Sequence, residues 1–374
     1  MSTRCHVATR KGLFTLDRGA SGWSITRASF LGDNCTLVMH DPRTGDLIAT
    51  LNHGHFGIKL HRSRDGGESW QEIATPKYPE KPADYVPKST PAEGKLPEWS
   101  LKLVWALAPG GADQPGVVWC GTLPGGLFKS EDSGDSWELN RPLWDDPRRE
   151  EWFGGGADQP GIHSICVDPR DPQHVRIAIS CGGVWITRDG GQTWNITGDG
   201  MRAEFMPPER QFDPNIQDPH MMVQCPANPD VFWVQHHNGI FRSTDTAQTW
   251  TEVTGVSPSG FGFAVAVHPA DPDTAWFVPA IKDEKRYPDS GKVVVNRTRD
   301  GGKTFETLTN GLPQQHAYDL VYRHSLDIDE SGNCLAFGST TGSLWMTEDG
   351  GDSWQTLSTN LPPIYAVRFE KASR

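Results

Sequence analysis

Histidine supplies the first chemical signal in this chain. Two hexapeptides share one frame, His163-Ser-Ile-Cys-Val-Asp168 and His324-Ser-Leu-Asp-Ile-Asp329, and His220-Met-Met-Val-Gln-Cys225 holds the same offset before its proline. Two further pairs sit at predicted tight turns: His53 and His55 within Asn52-His-Gly-His55, and His236-His237 before Asn238-Gly239. Neutral imidazole is a common ligand for Zn, Mn, Fe, Ni or Cu. Imidazoles converging from separate segments are therefore expected to hold a divalent transition metal, with His163, His220, His324 and His53 as ligands and His236 as a catalytic helper. An open site of this kind activates water or polarises a carboxylate or carbonyl. The alternative left open is that the same side chains fill a channel and bond to water or backbone carbonyls.

Other candidates accompany them. Lys102 and Tyr365 each open a predicted strand and would serve a lyase as charge neutraliser and proton donor. Metal-free hydrolysis would need paired carboxylates at roughly 5–10 Å. Asp33, Glu98, Asp158, Glu204, Asp218, Asp283 and Asp319 fall in segments expected to share a face with the histidines. No organic cofactor is expected. Glycines 154–156 and the duplicated Gly-Gly-Ala-Asp-Gln-Pro-Gly (110–116 and 155–161) lack the strand-to-helix setting of a phosphate loop and read as turns.

Residues so distant in sequence meet only if a repeated scaffold assembles them. Six octapeptides follow the frame Ser/Thr-x-Asp-x-Gly-x-Ser/Thr-Trp/Phe, beginning at Ser63, Ser130, Thr187, Ser243, Thr298 and Thr347. Their aspartates (65, 132, 189, 245, 300 and 349) are spaced by 67, 57, 56, 55 and 49 residues. A worn seventh copy runs from Leu16 to Trp23 and keeps Gly19 and the tryptophan. Short Ser and Asp side chains bond to nearby backbone N–H groups and pin a tight turn, and glycine supplies the positive φ it needs. Each unit follows an apolar-aromatic pair such as Leu127-Phe128 or Val184-Trp185; further upstream come a strand, a Pro/Asp turn and another alternating strand. That is four short strands, A to D, in about 55 residues.

Seven such sheets describe an all-β fold, a single seven-bladed β-propeller of four-stranded antiparallel blades spanning residues 1–374. The chain opens on a segment resembling strand B (His6-Val-Ala-Thr9) and finishes on an unpartnered strand A, Ile364-Tyr-Ala-Val-Arg-Phe369. The C-terminal strand is expected to complete the N-terminal blade and so remove two free edges. Long irregular stretches at 76–99, 141–160, 198–219 and 281–291 would then decorate the face opposite the pinned turns, where ligand sites form.

The octapeptides resemble the Asp-box, or BNR, repeats of sialidases, sortilin-type receptors, xyloglucan-cleaving glycosidases and photosystem II assembly-factor propellers. The resemblance implies that the six aspartates are scaffold residues on the face away from the ligand. It implies a glycosidase-like enzyme, a hydrolase or lyase, acting on a carbohydrate or small polar substrate. A non-catalytic ligand-binding or protein-assembly propeller is the alternative. A true exo-sialidase is a further one, against which stand the missing Arg-Ile-Pro motif and the lack of three assignable convergent arginines. The xyloglucan-cleaving enzymes place their acid and base between two propellers, and one is predicted here.

Composition narrows the partners. With 35 basic against 47 acidic residues the net charge is −12, which disfavours binding to nucleic acid. No apolar run approaches the roughly 20 residues needed to cross a bilayer, so no membrane partner is expected. The N-terminus lacks the apolar h-region of a secretory leader. Seven cysteines without CxxC spacing read as reduced, buried thiols, and the expected location is cytoplasmic.

Overall fold

A computed structural model describes residues 1–86, 99–155 and 157–372. Seven four-stranded antiparallel sheets form the expected ring. Blade 1 joins the C-terminal strand Ile364–Phe369 to the N-terminal strand Arg4–Thr9, with Val367 opposite Val7. Blades 2 to 7 then follow in chain order. No helix among the described residues is long and apolar enough to cross a membrane. The seven cysteines are free and all but Cys166 are buried.

Alternation makes the core radial. Each strand turns one set of apolar residues toward the preceding blade and the other toward the next. Trp119 and Trp185 pack between blades 3 and 4, Phe232 and Phe241 against blade 4, and Leu16, Val367 and Phe369 against Leu344 and Met346 of blade 7. That last contact closes the circle.

The octapeptide units all lie at C–D turns on one face. In blade 4 the Thr187 Oγ1 accepts from the Gly191 N–H at 2.9 Å and donates to Asp189 at 2.7 Å. The Asp189 carboxylate accepts from the backbone and hydroxyl of Thr193, at 2.9 and 2.6 Å. In four units, the worn copy among them, the tryptophan then ties its blade to the one before. Trp23 donates to Glu348, Trp70 to Ser29, Trp137 to the Ala74 carbonyl and Trp194 to Asn140. The worn copy thus retains the staple after losing the pinned turn.

Candidate functional site

The opposite face carries the starts of the A strands, the B–C turns and the connectors between blades. Register there follows a repeated irregularity. In blades 1 to 6 the A–B pairing skips one residue near the start of strand A: Tyr365, Thr36, Trp105, His163, His220 and Phe263. A bulge of this type leaves one residue outside the ladder and re-aims its side chain. His324 precedes Ser325, which accepts from the Gly338 N–H as blade 7 begins its pairing, and so occupies the corresponding place. The seven residues form one axial ring, and three of them are histidines.

Sharing a ring does not bring the imidazoles together. His220 stacks on Phe263 with ring centroids 4.5 Å apart. The Arg323 guanidinium lies over Trp105 at 4.3 Å and Phe263 at 5.8 Å, and its Nε donates to the His220 carbonyl at 2.7 Å. Trp105 in turn meets the edge of His163 at 5.6 Å. His163 and His220 thus keep different ring partners, Trp105 for one and Phe263 for the other, with Arg323 near both rings. His163 and His324 instead line an axial cavity of about 90 Å³ with Ser164, Met221 and Arg368. Both are buried with an unpartnered Nε2. Burial, then the nearby arginines, push their pKa values well down, so both are neutral.

His220 belongs to a different group. Among the described residues, Asp218, His220 and His237 make up the one set of three or more ligand-type side chains whose ligand atoms all lie within 4.8 Å of one another. His220 Nε2 and His237 Nδ1 each stand 3.4 Å from Asp218 Oδ2. The other carboxylate oxygen accepts from the Cys181 N–H at 3.1 Å and Ser180 Oγ at 3.2 Å, and His220 Nδ1 lies 2.7 Å from the Gly262 carbonyl. Burial alone would raise the Asp218 pKa, but the two imidazoles outweigh it and hold it well below the usual range. For His237 burial acts downward, and the bond to Asp218 more than offsets it, so its pKa rises. Phe205, Phe261 and Phe263 wall the group. Gly155 packs over it: an added Cβ would stand 3.0 Å from Asp218 Oδ2 and 2.8 Å from Cys181 Sγ.

The remaining predicted residues lie elsewhere. His236 has no open nitrogen: the Asp218 N–H faces Nε2 and the Asn238 N–H faces Nδ1, each at 3.1 Å. Burial pushes its pKa down to about 3, and the neutral ring accepts one of these two bonds where an imidazolium would accept neither. His236 is a turn-holding residue, so the helper role does not fit it. His53 sits in the B–C turn of blade 2, 3.6 Å from Asp33, apart from the other nominated ligands. Tyr365 is half-buried beside Tyr322, and Lys102 is exposed at the start of its blade. Among the carboxylates, Asp283 pairs with Arg286, Glu204 with Arg202, and Asp319 with Ser339. Glu98 lies outside the described residues.

Asp218 and His237 are separate candidates in the sequence. The signal was present in the hairpin register: Pro219 faces His236, which sets residue 218 opposite residue 237, and the His237 N–H donates to the Asp218 carbonyl at 3.0 Å. Arg323 carried no signal beyond a basic residue in a connector.

No family model matches the chain. A xyloglucanase of a Paenibacillus species is 24% identical over 280 residues, covering 66% of this chain and 25% of that protein. Among solved structures, an ancestral GH74 enzyme aligns over 90% of this chain and 38% of its own, with a TM-score of 0.56 and 17% identity. YCF48 from Cyanidioschyzon merolae aligns over 91% of this chain and 90% of its own, with a TM-score of 0.55 and 11% identity. The chain spans between a quarter and a third of the length of the curated relatives it matches. The class these findings define is a seven-bladed β-propeller, with xyloglucanases among its low-identity relatives.

Proposed function

We propose that this propeller is an enzyme acting on a carbohydrate at its loop-bearing mouth, through a divalent transition metal held by Asp218, His220 and His237. The observation that carries the metal is spacing. Bonds of about 2.1 Å meeting at tetrahedral angles set ligand atoms about 3.4 Å apart, and both imidazole nitrogens stand 3.4 Å from Asp218 Oδ2. Two imidazoles and a carboxylate suit Zn or Fe(II) and leave positions free for a substrate oxygen. When bound, the metal would polarise a substrate carbonyl or carboxylate, or lower the pKa of a water. The protein's part is to hold the ligands: Ser180 and Cys181 orient Asp218, the Gly262 carbonyl orients His220, and the phenylalanines exclude water. The relatives named as xyloglucanases support a carbohydrate as substrate.

Elemental analysis of purified protein tests the reading. The expected result is about one transition metal per chain, lost in an Asp218→Ala/His237→Ala double variant that retains its β-sheet circular dichroism, together with loss of saccharide turnover. A double variant that still turns over saccharide would overturn it.

A protein-assembly role is favoured by one observation. Leu31, Phe56, Phe212 and Tyr318 are 63–81% exposed, and all stand on B–C turns or connectors of this same face. Capture of one stoichiometric protein partner, abolished by Phe56→Ser/Phe212→Ser without loss of fold, would support it.

A further inference from the structure

Arg323 stands at the base of the mouth within the field of the Asp218 carboxylate but in direct contact with no carboxylate among the described residues. Four buried guanidiniums face carboxylates: Arg43 meets Asp41, Arg62 meets Asp135, Arg176 meets Asp168, and Arg297 meets Glu306 and Asp352, whereas Arg149, away from the His/Asp group, lies over Trp144 and donates to its carbonyl. Arg323 makes no ion pair among the described residues. Arg286, the other cation facing Phe263, is already paired with Asp283. Arg368, also without a carboxylate, spends its donors on the His324 carbonyl, the Val367 carbonyl and His324 Nδ1. By contrast, Arg323 uses only Nε, toward the His220 carbonyl, and its two Nη atoms donate to nothing among the described residues. Trp105 lies against the guanidinium at 4.3 Å, Phe263 stands 5.8 Å away, and the Nε bond to the His220 carbonyl fixes one end of the group. Burial lowers its pKa to about 10, which still leaves it charged at neutral pH.

A flat, immobilised fork of N–H donors matches a planar carboxylate in two parallel bonds. In a partly desolvated site that pairing gains strength, whereas a neutral hydroxyl would leave the Nη atoms without an anionic partner. We propose that the mouth selects an acidic saccharide, a uronic acid residue whose carboxylate is gripped by the free Nη edge of Arg323. This deepens the carbohydrate reading given above and rests on it. That reading says a sugar enters beside Asp218, His220 and His237; the present inference adds that the sugar carries a negative charge. Arg323 touches the bound carboxylate and so sets specificity.

Isothermal titration calorimetry of the full chain tests this with D-galacturonate, digalacturonate and glucose 6-phosphate against D-galactose and a neutral xyloglucan oligosaccharide. The uronates are expected to bind roughly tenfold or more tighter than their neutral counterparts. Arg323→Gln should erase that preference. Arg323→Lys keeps the charge without the fork and should lose roughly three- to tenfold; it also serves if the glutamine variant fails to fold. Equal binding of acid and neutral sugar overturns the inference, as does an Arg323→Gln variant that keeps the preference. Glucose 6-phosphate outcompeting the uronates would overturn the assignment to carboxylate. The two readings fail separately: neutral sugar that binds as tightly as the uronates and is lost in Asp218→Asn leaves the carbohydrate site standing and removes the acidic one. If no saccharide of either kind binds, both fall.

Discussion

Asp218 illustrates how position gives a common side chain an uncommon state. In water its carboxylate would be one acid among many; here it is 2% exposed and receives two imidazoles and two further donors. Its charge is what lifts His237 against the opposing effect of burial. In metal-free protein the His237 imidazole is therefore expected to titrate above the ordinary value near 6.5. Asp218→Asn removes the charge, leaves burial as the largest influence, and should lower that titration. Imidazole nitrogen shifts followed by NMR across pH 4 to 9 read both. A His237 pKa that does not move in the variant would show that Asp218 is not its partner.

Elements act through small departures from regularity. One skipped residue per A strand takes a side chain out of the ladder, and repetition around the ring turns that local defect into an axial lining. The pinned C–D turns do the reverse work, making each hairpin end self-sufficient. Thr187 is 1% exposed, and its hydroxyl accepts from the Gly191 N–H, whose residue has a φ of +94°. Thr187→Val keeps the shape and leaves that N–H without a partner, at a cost of about 1–3 kcal/mol. A chemical denaturation midpoint would show the loss, with mouth chemistry unchanged because the turn lies on the other face. Blade 5 tolerates Ala247 in place of the glycine, at a φ of +65°, so the hydroxyl-to-backbone bond, which it also retains, weighs more than the glycine.

The ring as a whole is held by its closure. Ile364, Val367 and Phe369 are nearly or fully buried against blades 1 and 7, while the strand pairs with Cys5 to Thr9. At about 2 kcal/mol for each large apolar side chain, removing them forfeits about 6 kcal/mol, against a typical total stability of 5–15 kcal/mol. A chain truncated after Pro363 is expected to melt well below the full protein, or to aggregate through the exposed edges of blades 1 and 7. Differential scanning calorimetry with light scattering distinguishes these from an unaffected protein, which would contradict the closure.

The propeller and the place of its pinned turns were readable from six octapeptides, because a turn stabilised by its own Ser, Asp and Gly depends on nothing distant. The closing strand was readable for a related reason, since an apolar strand without a neighbour in sequence must find one in space. The shared station of His163, His220 and His324 followed from the same repeats. Which of them meet did not. That outcome turned on which rings His163 and His220 meet, Trp105 and Phe263, with Arg323 near both, residues from separate blades that no local pattern links. It turned equally on the hairpin register that sets Asp218 beside His237. Local bonds are written into neighbouring residues, whereas convergence on an axis is a sum over seven blades and exists only once the ring has closed.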